Sequence, residues 1–337
     1  MSWTQDRVMA NALQWDGRES GRFETYTLHI VDPGNQAGWW LRYGVDASLD
    51  GEASAHLLGA HFQEDEPAAR FALQTDFESR AFGTQSDGFH IRVSKAELSS
   101  EGAKGGLRSP GDDERSLRWN LKSAQHADAV SLFPKRKHYE DRHPEHERLV
   151  PGPMATTGGV VEASGERFTL ENARSHQLHT WGRSRFDRWT YGHATFFRER
   201  PEAYVTVFLG EDEDGGTIGG AHYRDEEGLD LAFDHVETAT DDGPGREPGV
   251  WTFEAKTRGW RLSGRFSASL QRMLGVRDED PDGSIRYCHH GGVADATLEL
   301  WKTSWGRRKL HQTLTSRGAS VLQQGDRRPY SDVEFFV

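Results

Sequence analysis

Along most of the chain, hydrophobic and polar positions alternate with a period of two rather than recurring every three or four residues. The stretches FETYTLHIV (23–31), WWLRYGVDA (39–47), RFALQTDF (70–77), GFHIRVSKAEL (88–98), LRWNLKSA (117–124), AYVTVFLG (203–210), GLDLAFDHVETA (228–239), VWTFEAKT (250–257), GWRLSGRFSAS (259–269) and ATLELWKTS (296–304) follow this rhythm, as strands with one face buried do. Clusters of Gly, Asp, Asn and Pro separate them, among them DPGN at 32–35, SPGDDE at 109–114 and DEDPDG at 278–283, which are turn-forming compositions. Only residues 5–14 and 266–275 have a pattern compatible with a helix. The pattern predicts an all-β protein of sandwich or barrel type. The stretch 133–159, with Pro134, Pro144, Pro151 and Pro153, reads as a connector. It divides the chain into halves at 1–155 and 156–337, each with enough strands for an eight-stranded antiparallel barrel. LRWNLK (117–122) and GWRLSG (259–264) are a loose echo of one another.

Composition narrows the function classes. Hydrophobic residues are 35% of the 337, yet there are 11 Trp and 17 Phe, so apolar area is concentrated in large rings and the chain does not have the makeup of a disordered one. A net charge of -12 repels phosphate backbones and argues against nucleic acid as a partner. The single Cys288 excludes an internal disulfide and a cysteine-based zinc cluster. The sequence shows no secretory leader pattern and no run long enough for a membrane span. A cytoplasmic protein is therefore expected, with peripheral membrane contact left open to an apolar substrate.

The stretch HTWGRSRFDRWTYGHATFF (179–197) holds two His, two Trp, a Tyr and three Phe. Read as a hairpin closed by GRSRFD (182–187), alternation puts His179 and Trp181 on one face of the first strand. Trp189, Tyr191 and His193 then share one face of the second. Pairing Trp181 with Trp189 makes one wall of imidazoles and rings, with Thr180, Arg188, Thr190 and Ala194 on an exposed side and Phe186 and Asp187 left in the loop. Such a wall suits proton chemistry on an apolar molecule, since aromatic faces stabilise a carbocation and a buried acid or imidazolium serves as general acid. The alternative is a packed hairpin with hydrogen-bonded histidines. In the first half, Glu24 and Tyr26 share a face, as do Trp40 and Arg42, and a Glu24–Arg42 pair is possible. In the second, Asp230, Phe233, His235, Trp251, Phe253, Trp260 and Phe266 are candidates to line a barrel. His235 rides the apolar face and reads as a core histidine.

Four places resemble the tandem lipocalin-like superfamily that includes carotenoid 1,2-hydratases (hydroxyneurosporene synthases), AttH-like proteins and, more distantly, tocopherol cyclases and some fungal cyclases. They are GRFETYTLHIV followed by WWLRYGV; LRWNL, then SLFP and Tyr139; HTWG…WTYGHATFF; and RYCHHGGVADATLEL, where the family carries Asn two residues after the Cys and this chain carries His290. The resemblance implies two lipocalin-like β-barrels in tandem and a cavity at a barrel mouth or between the barrels. It implies a cofactor-independent enzyme, a lyase or isomerase that hydrates or cyclises an apolar isoprenoid-like substrate by proton-initiated addition to an alkene. In that reading His179, His193, Tyr191 and Glu24 are catalytic, and Trp181, Trp189, Tyr26, Arg42, Trp40, Phe233 and Trp251 bind substrate. The competing readings are a carrier or sensor of an apolar ligand and a template for a spontaneous cyclisation. Fold does not decide among them, and the oligomeric state is left open.

Other motifs carry less. HYEDRHPEHE (138–147) contains His138, His143 and His146, but it is proline-broken and charged, as a solvated linker is. DEDPDGSI (278–285) has calcium-loop spacing at Asp278, Asp280 and Asp282, yet His289 stands where the closing acid belongs. Cys288 reads as a buried thiol rather than a nucleophile. No metal or cofactor is expected, and no hydrolase, phosphate-loop or dinucleotide motif stands in a usable context.

Overall fold

The computed structural model describes residues 11–84, 89–110, 115–133, 145–239, 247–304 and 307–337. The helix expected from residue 5 falls largely outside them, as do Tyr139, His138 and His143. The first sheet holds β1 (Arg22–Asp32), β2 (Ala37–Ala47), β3 (Ala53–Gln63), β4 (Phe71–Glu78), β5 (Phe82–Thr84), β6 (His90–Val93), β7 (Ala96–Ser99), β8 (Gly102–Arg108), β9 (Ser116–Gln125), β10 (Val130–Ser131), β11 (His146–Ala163) and β12 (Glu166–Gly182). The second holds β13 (Arg188–Ala194), β14 (Tyr204–Glu211), β15 (Thr217–Arg224), β16 (Asp230–Phe233), β17 (His235–Thr238), β18 (Val250–Thr257), β19 (Trp260–Ser267), β20 (Leu274–Glu279), β21 (Ile285–Ser304) and β22 (Arg307–Asp326).

Neighbours run β4-β3-β2-β1-β12-β11-β9-β8-β7-β6-β5 in the first sheet and β16-β15-β14-β13-β22-β21-β19-β18-β17 in the second. The two ends of each path are joined by the chain itself, through the turn Ser79–Ala81 in one case and through Asp234 alone in the other. Each sheet therefore curls into a nearly closed antiparallel barrel, which leaves little free edge. The two orders also match. β1 corresponds to β13, β12 to β22, β11 to β21 and β9 to β19, and the LRWNLK and GWRLSG echo falls on that last pair. The architecture is the expected one, two lipocalin-like barrels in tandem.

Each barrel has its own aromatic core, with Trp39, Tyr43, Trp119 and Phe168 in the first and Trp251, Phe253 and Phe266 in the second. A third apolar cluster, including Trp40, Phe62, Phe133, Phe186, Trp189 and Phe208, lies where the barrels meet. A fully buried Trp removes roughly 200 Å² from water, a gross gain of about 5 kcal/mol. Strands between a lumen and the partner barrel are buried on both faces: β1 is buried along its whole length, and β3 over most of it. That is why ASAHLLGAHFQ lacks alternation. The barrels approach closely at Gly38 and Gly292. A Cβ on Gly38 would lie 2.5 Å from the Gly292 carbonyl oxygen, and one on Gly292 would lie 2.4 Å from the Phe62 ring.

Several local expectations are corrected. The change of sheet comes between Gly182 and Arg188, whereas the boundary expected at 155/156 lies inside β11. The described part of the supposed connector is mostly that strand. His179 and His193 are not in one hairpin: β12 pairs with β1 and β11, and β13 with β14 and β22. Of the expected exposed side, Thr190 and Ala194 are fully buried, while Thr180 and Arg188 are half-buried. The described part of the stretch at 88–98 is a tight hairpin, β6 and β7, turning at Ser94 with φ 55. Residues 266–275 hold the end of β19, the 3-10 turn Leu270–Arg272 and the start of β20 rather than an α-helix. In 228–239 the break at Asp234 shifts the alternation by one. Phe233 and Val236 point inward while Asp230 and His235 are exposed, so His235 is no core histidine. No helix among the described residues is long and apolar enough to cross a membrane.

Candidate functional site

The candidate residues divide among three places. Glu24, Tyr26, His179 and Trp181 lie inside the first barrel, because β1 and β12 run side by side with Glu24 opposite Trp181 and Tyr26 opposite His179. The Glu24 carboxylate accepts hydrogen bonds from His179 Nε2 (2.9 Å) and the Tyr26 hydroxyl (2.7 Å). It also accepts from the backbone amides of Gln14 (2.9 Å) and Trp15 (2.7 Å). Because a carboxylate only accepts, the His179 proton sits on Nε2 and Nδ1 is the ring's other end. That nitrogen is buried and has no partner among the described residues. The His179 ring lies 4.1 Å from Tyr26 and 4.4 Å from Trp181, centroid to centroid. Leu13 and Trp15 cover the group from the N-terminal side. Phe233 and Trp251 belong to the packed core of the second barrel.

Trp40, Arg42, Trp189, Tyr191 and His193 lie in the cleft between the barrels. Arg42 is paired with Asp278 at 2.6 Å, not with Glu24. The register sets Thr27 opposite Arg42, so Glu24 and Arg42 point to opposite faces of the sheet. A cavity of about 60 Å³ in the cleft is bounded by Phe23, Thr27, Trp40, Arg148, Trp189 and Gln323, among others. That is room for a few waters or a small apolar group. Arg42, Arg185 and Asp278 also border a more polar hollow of about 480 Å³ that includes Asp46, His56 and Gln74. The Arg42–Asp278 pair therefore stands between the inner cavity and this hollow. Phe186, expected in an uninvolved loop, packs against Phe133 and Phe208 and borders the inner cavity.

Beyond Gln323 and Trp40 lies a group of imidazoles. The Gln323 amide donates to His290 Nδ1 at 2.8 Å, which puts the neutral ring's proton on Nε2. From Trp40 inward the rings stack in sequence. Trp40–His290 centroids are 4.4 Å apart, His290–His29 5.1 Å, His29–His176 4.6 Å and His176–His193 3.7 Å, with interplanar angles of 10, 17, 8 and 24°. Both ring nitrogens of His29 and of His193 and the Nε2 atoms of His176 and His290 have no partner among the described residues. Burial holds His193 and His290 down at about 3. It also lowers His29 and His176 far below the ordinary imidazole value, with neighbouring rings adding to the effect. All four are neutral bases near neutral pH.

Other groups set the charge around them. The Arg148 guanidinium lies 4.4 Å from the Phe208 ring centroid and 5.7 Å from that of Tyr191, and burial pulls it down to about 10. The Tyr191 phenol is fully buried, accepts a hydrogen bond from Thr206 at 3.3 Å, and is held protonated by burial. Cys288 borders the cavity, with its thiol pushed up to about 12 by burial.

His29, His176, His290, Arg148 and Gln323 were not singled out as a group by sequence. The departure at His290 was the one visible signal. His176 was obscured by His179, three residues on and therefore on the opposite face. The 278–285 stretch is a turn whose Asp280 holds Arg185 at 2.8 Å. Among the described residues no group of three or more His, Cys, Asp or Glu is arranged to hold a metal ion.

No family model matches the sequence, and no curated protein matches it significantly. Solved structures do resemble it. Kievitone hydratase from Nectria haematococca aligns with a TM-score of 0.50 at 13% identity, over 90% of this chain and 88% of that one. An AttH-like protein from Nitrosomonas europaea aligns with a TM-score of 0.50 at 11% identity, over 90% and 91%. At such identity the likeness concerns the fold alone, two lipocalin-like antiparallel barrels in tandem.

Proposed function

We propose that the cleft between the barrels is the site of a lyase reaction, the addition of water to a carbon–carbon double bond of an apolar, isoprenoid-like molecule or the reverse. One observation carries the reading. Tyr191 and His193 project from the same face of β13, two residues apart, into a buried cleft where His193 has two unpartnered ring nitrogens and Tyr191 keeps its proton. A neutral imidazole can take the proton of an attacking water while a phenol supplies a proton to carbon. Water oxygen bonds one alkene carbon and Tyr191 protonates the other, so atoms and charge balance. With an internal hydroxyl in place of water, the same step closes a ring. The proton relay thus rests on His193 and Tyr191. Glu24 and His179 act inside the first barrel as the anchor of the Leu13–Trp15 segment.

Trp40 and Trp189 supply the aromatic wall of the inner cavity, which Tyr191 and His193 do not border, so the reacting end of a substrate has to pass beyond it to reach them. The polar hollow beyond Arg42 suits a hydroxylated or carbonyl-bearing remainder. The fold shared with a hydratase supports the reading at the level of architecture only. The test is incubation of the protein with apolar isoprenoid alkenes in heavy-oxygen water. Product carrying the heavy oxygen supports the proposal. Ligand that binds tightly, is seen by native mass spectrometry and is recovered unchanged would make the protein a carrier instead.

A further inference from the structure

The imidazole stack does not end at His193. The Tyr204 ring continues it at 6.3 Å and 15°, and His222 follows at 5.6 Å and 18°. His222 Nε2 lies 2.8 Å from an Asp230 carboxylate oxygen, and Asp230 is 55% exposed. Since that carboxylate accepts the Nε2 proton, Nδ1 of a neutral His222 accepts the Tyr204 hydroxyl proton, at 3.0 Å. The strands explain the alignment. His193 is opposite Thr206 and Thr206 opposite His222 on successive strands of the second barrel, so these side chains share the barrel's outer face. The nearly parallel rings thus run from Trp40 at the cavity to a carboxylate in solvent.

We propose that Tyr204, His222 and Asp230 are the solvent end of a proton path that serves the buried imidazoles, an inference that rests on reading the cleft as a place of proton transfer. A proton taken by His193 crosses to the Tyr204 oxygen through an intervening water, since the two rings stack without a direct hydrogen bond, as the Tyr204 hydroxyl proton moves to His222 Nδ1. His222 then releases its Nε2 proton to Asp230, and Asp230 releases it to water. One proton leaves the cleft, no group is oxidised or reduced, and the Tyr191 phenolate takes a proton from water that enters the cavity, the hydroxide so formed leaving to neutralise the released proton. Arg42 and Arg148 face the stack from β2 and β11, so an added positive charge is repelled toward the far end. A merely structural stack has no need of a hydrogen-bonded exit to an exposed acid.

The experiment needs no substrate. In protein labelled with nitrogen-15 histidine, exchange of the His193 ring proton with water is measured by saturation transfer in the wild type and in the Y204F and H222Q variants. H235Q, at an exposed histidine off the path, serves as control. Exchange at His193 should slow by about an order of magnitude or more in Y204F and H222Q and stay unchanged in H235Q. Unchanged exchange in H222Q, with an amide spectrum matching the wild type, would overturn the path even if Y204F failed to fold. Slowed exchange in a protein that hydrates nothing would leave the path standing and remove the proposed reaction, so the two failures are distinct.

Discussion

Mild acid should loosen this protein well above the range in which its carboxylates titrate. His29, His176, His193 and His290 are buried as neutral rings between the barrels, and an imidazole in the unfolded chain takes up a proton near 6.5. Their folded values are depressed, so below about 6.5 the unfolded chain binds protons that the folded chain refuses. Stability is complete above that point and falls with pH until the depressed folded values are reached, about 3 for His193 and His290. At about pH 5 each site has given up roughly 2 kcal/mol, and the four together about 8 kcal/mol. That is comparable with the whole stability of a typical domain, about 5–15 kcal/mol. His61 and His289, held down at about 4 by burial, act in the same direction. Urea unfolding at a series of pH values gives the slope directly. Replacing His29 and His176 with Leu should remove about half of the four-ring loss and leave a variant more acid-resistant than the wild type. A wild type whose stability is level between about pH 6.5 and 5, or a double variant with an undiminished slope, would refute the reasoning.

Three further outcomes follow from single contacts. Arg42→Met strands the buried Asp278 carboxylate and should cost about 3–5 kcal/mol in urea unfolding, with most of it restored in Arg42→Met/Asp278→Leu; equal stability of all three proteins would contradict the pairing. Cys288, with its thiol up at about 12, should resist iodoacetamide in the native protein and label on unfolding, as mass spectrometry would show. Gly325→Ala places a Cβ 2.1 Å from the Trp189 ring. It should lower stability by about 1–3 kcal/mol and shift tryptophan fluorescence, whereas an unchanged Tm would mean the ring is not seated there.

The sequence made the architecture legible wherever a strand has one face in water. β9, β18 and β19 read cleanly, because LRWNLK, VWTFEAKT and GWRLSG alternate. Strands pressed between a lumen and the second barrel carry large side chains on both faces, so β3 and much of β12 gave no rhythm. Within the HTWG and WTYGH segments the assignment of faces was sound, since His179 goes with Trp181 and Tyr191 with His193. Their partnership was not, because pairing of β12 with β1 and of β13 with β22 spans well over a hundred residues, and no local pattern encodes it. The imidazole stack was hidden for the same reason. Its members come from β1, β12, β13 and β21, and each looks in sequence like an isolated core histidine.

The most direct test of the central claim separates binding from turnover at His193. Heavy-oxygen incorporation and ligand affinity are measured side by side for the wild type and for His193→Gln. The account predicts that the variant keeps its affinity and loses turnover by a factor of about 10²–10⁴, the usual share of a general base. A folded His193→Gln protein that still adds water at the wild-type rate would contradict it.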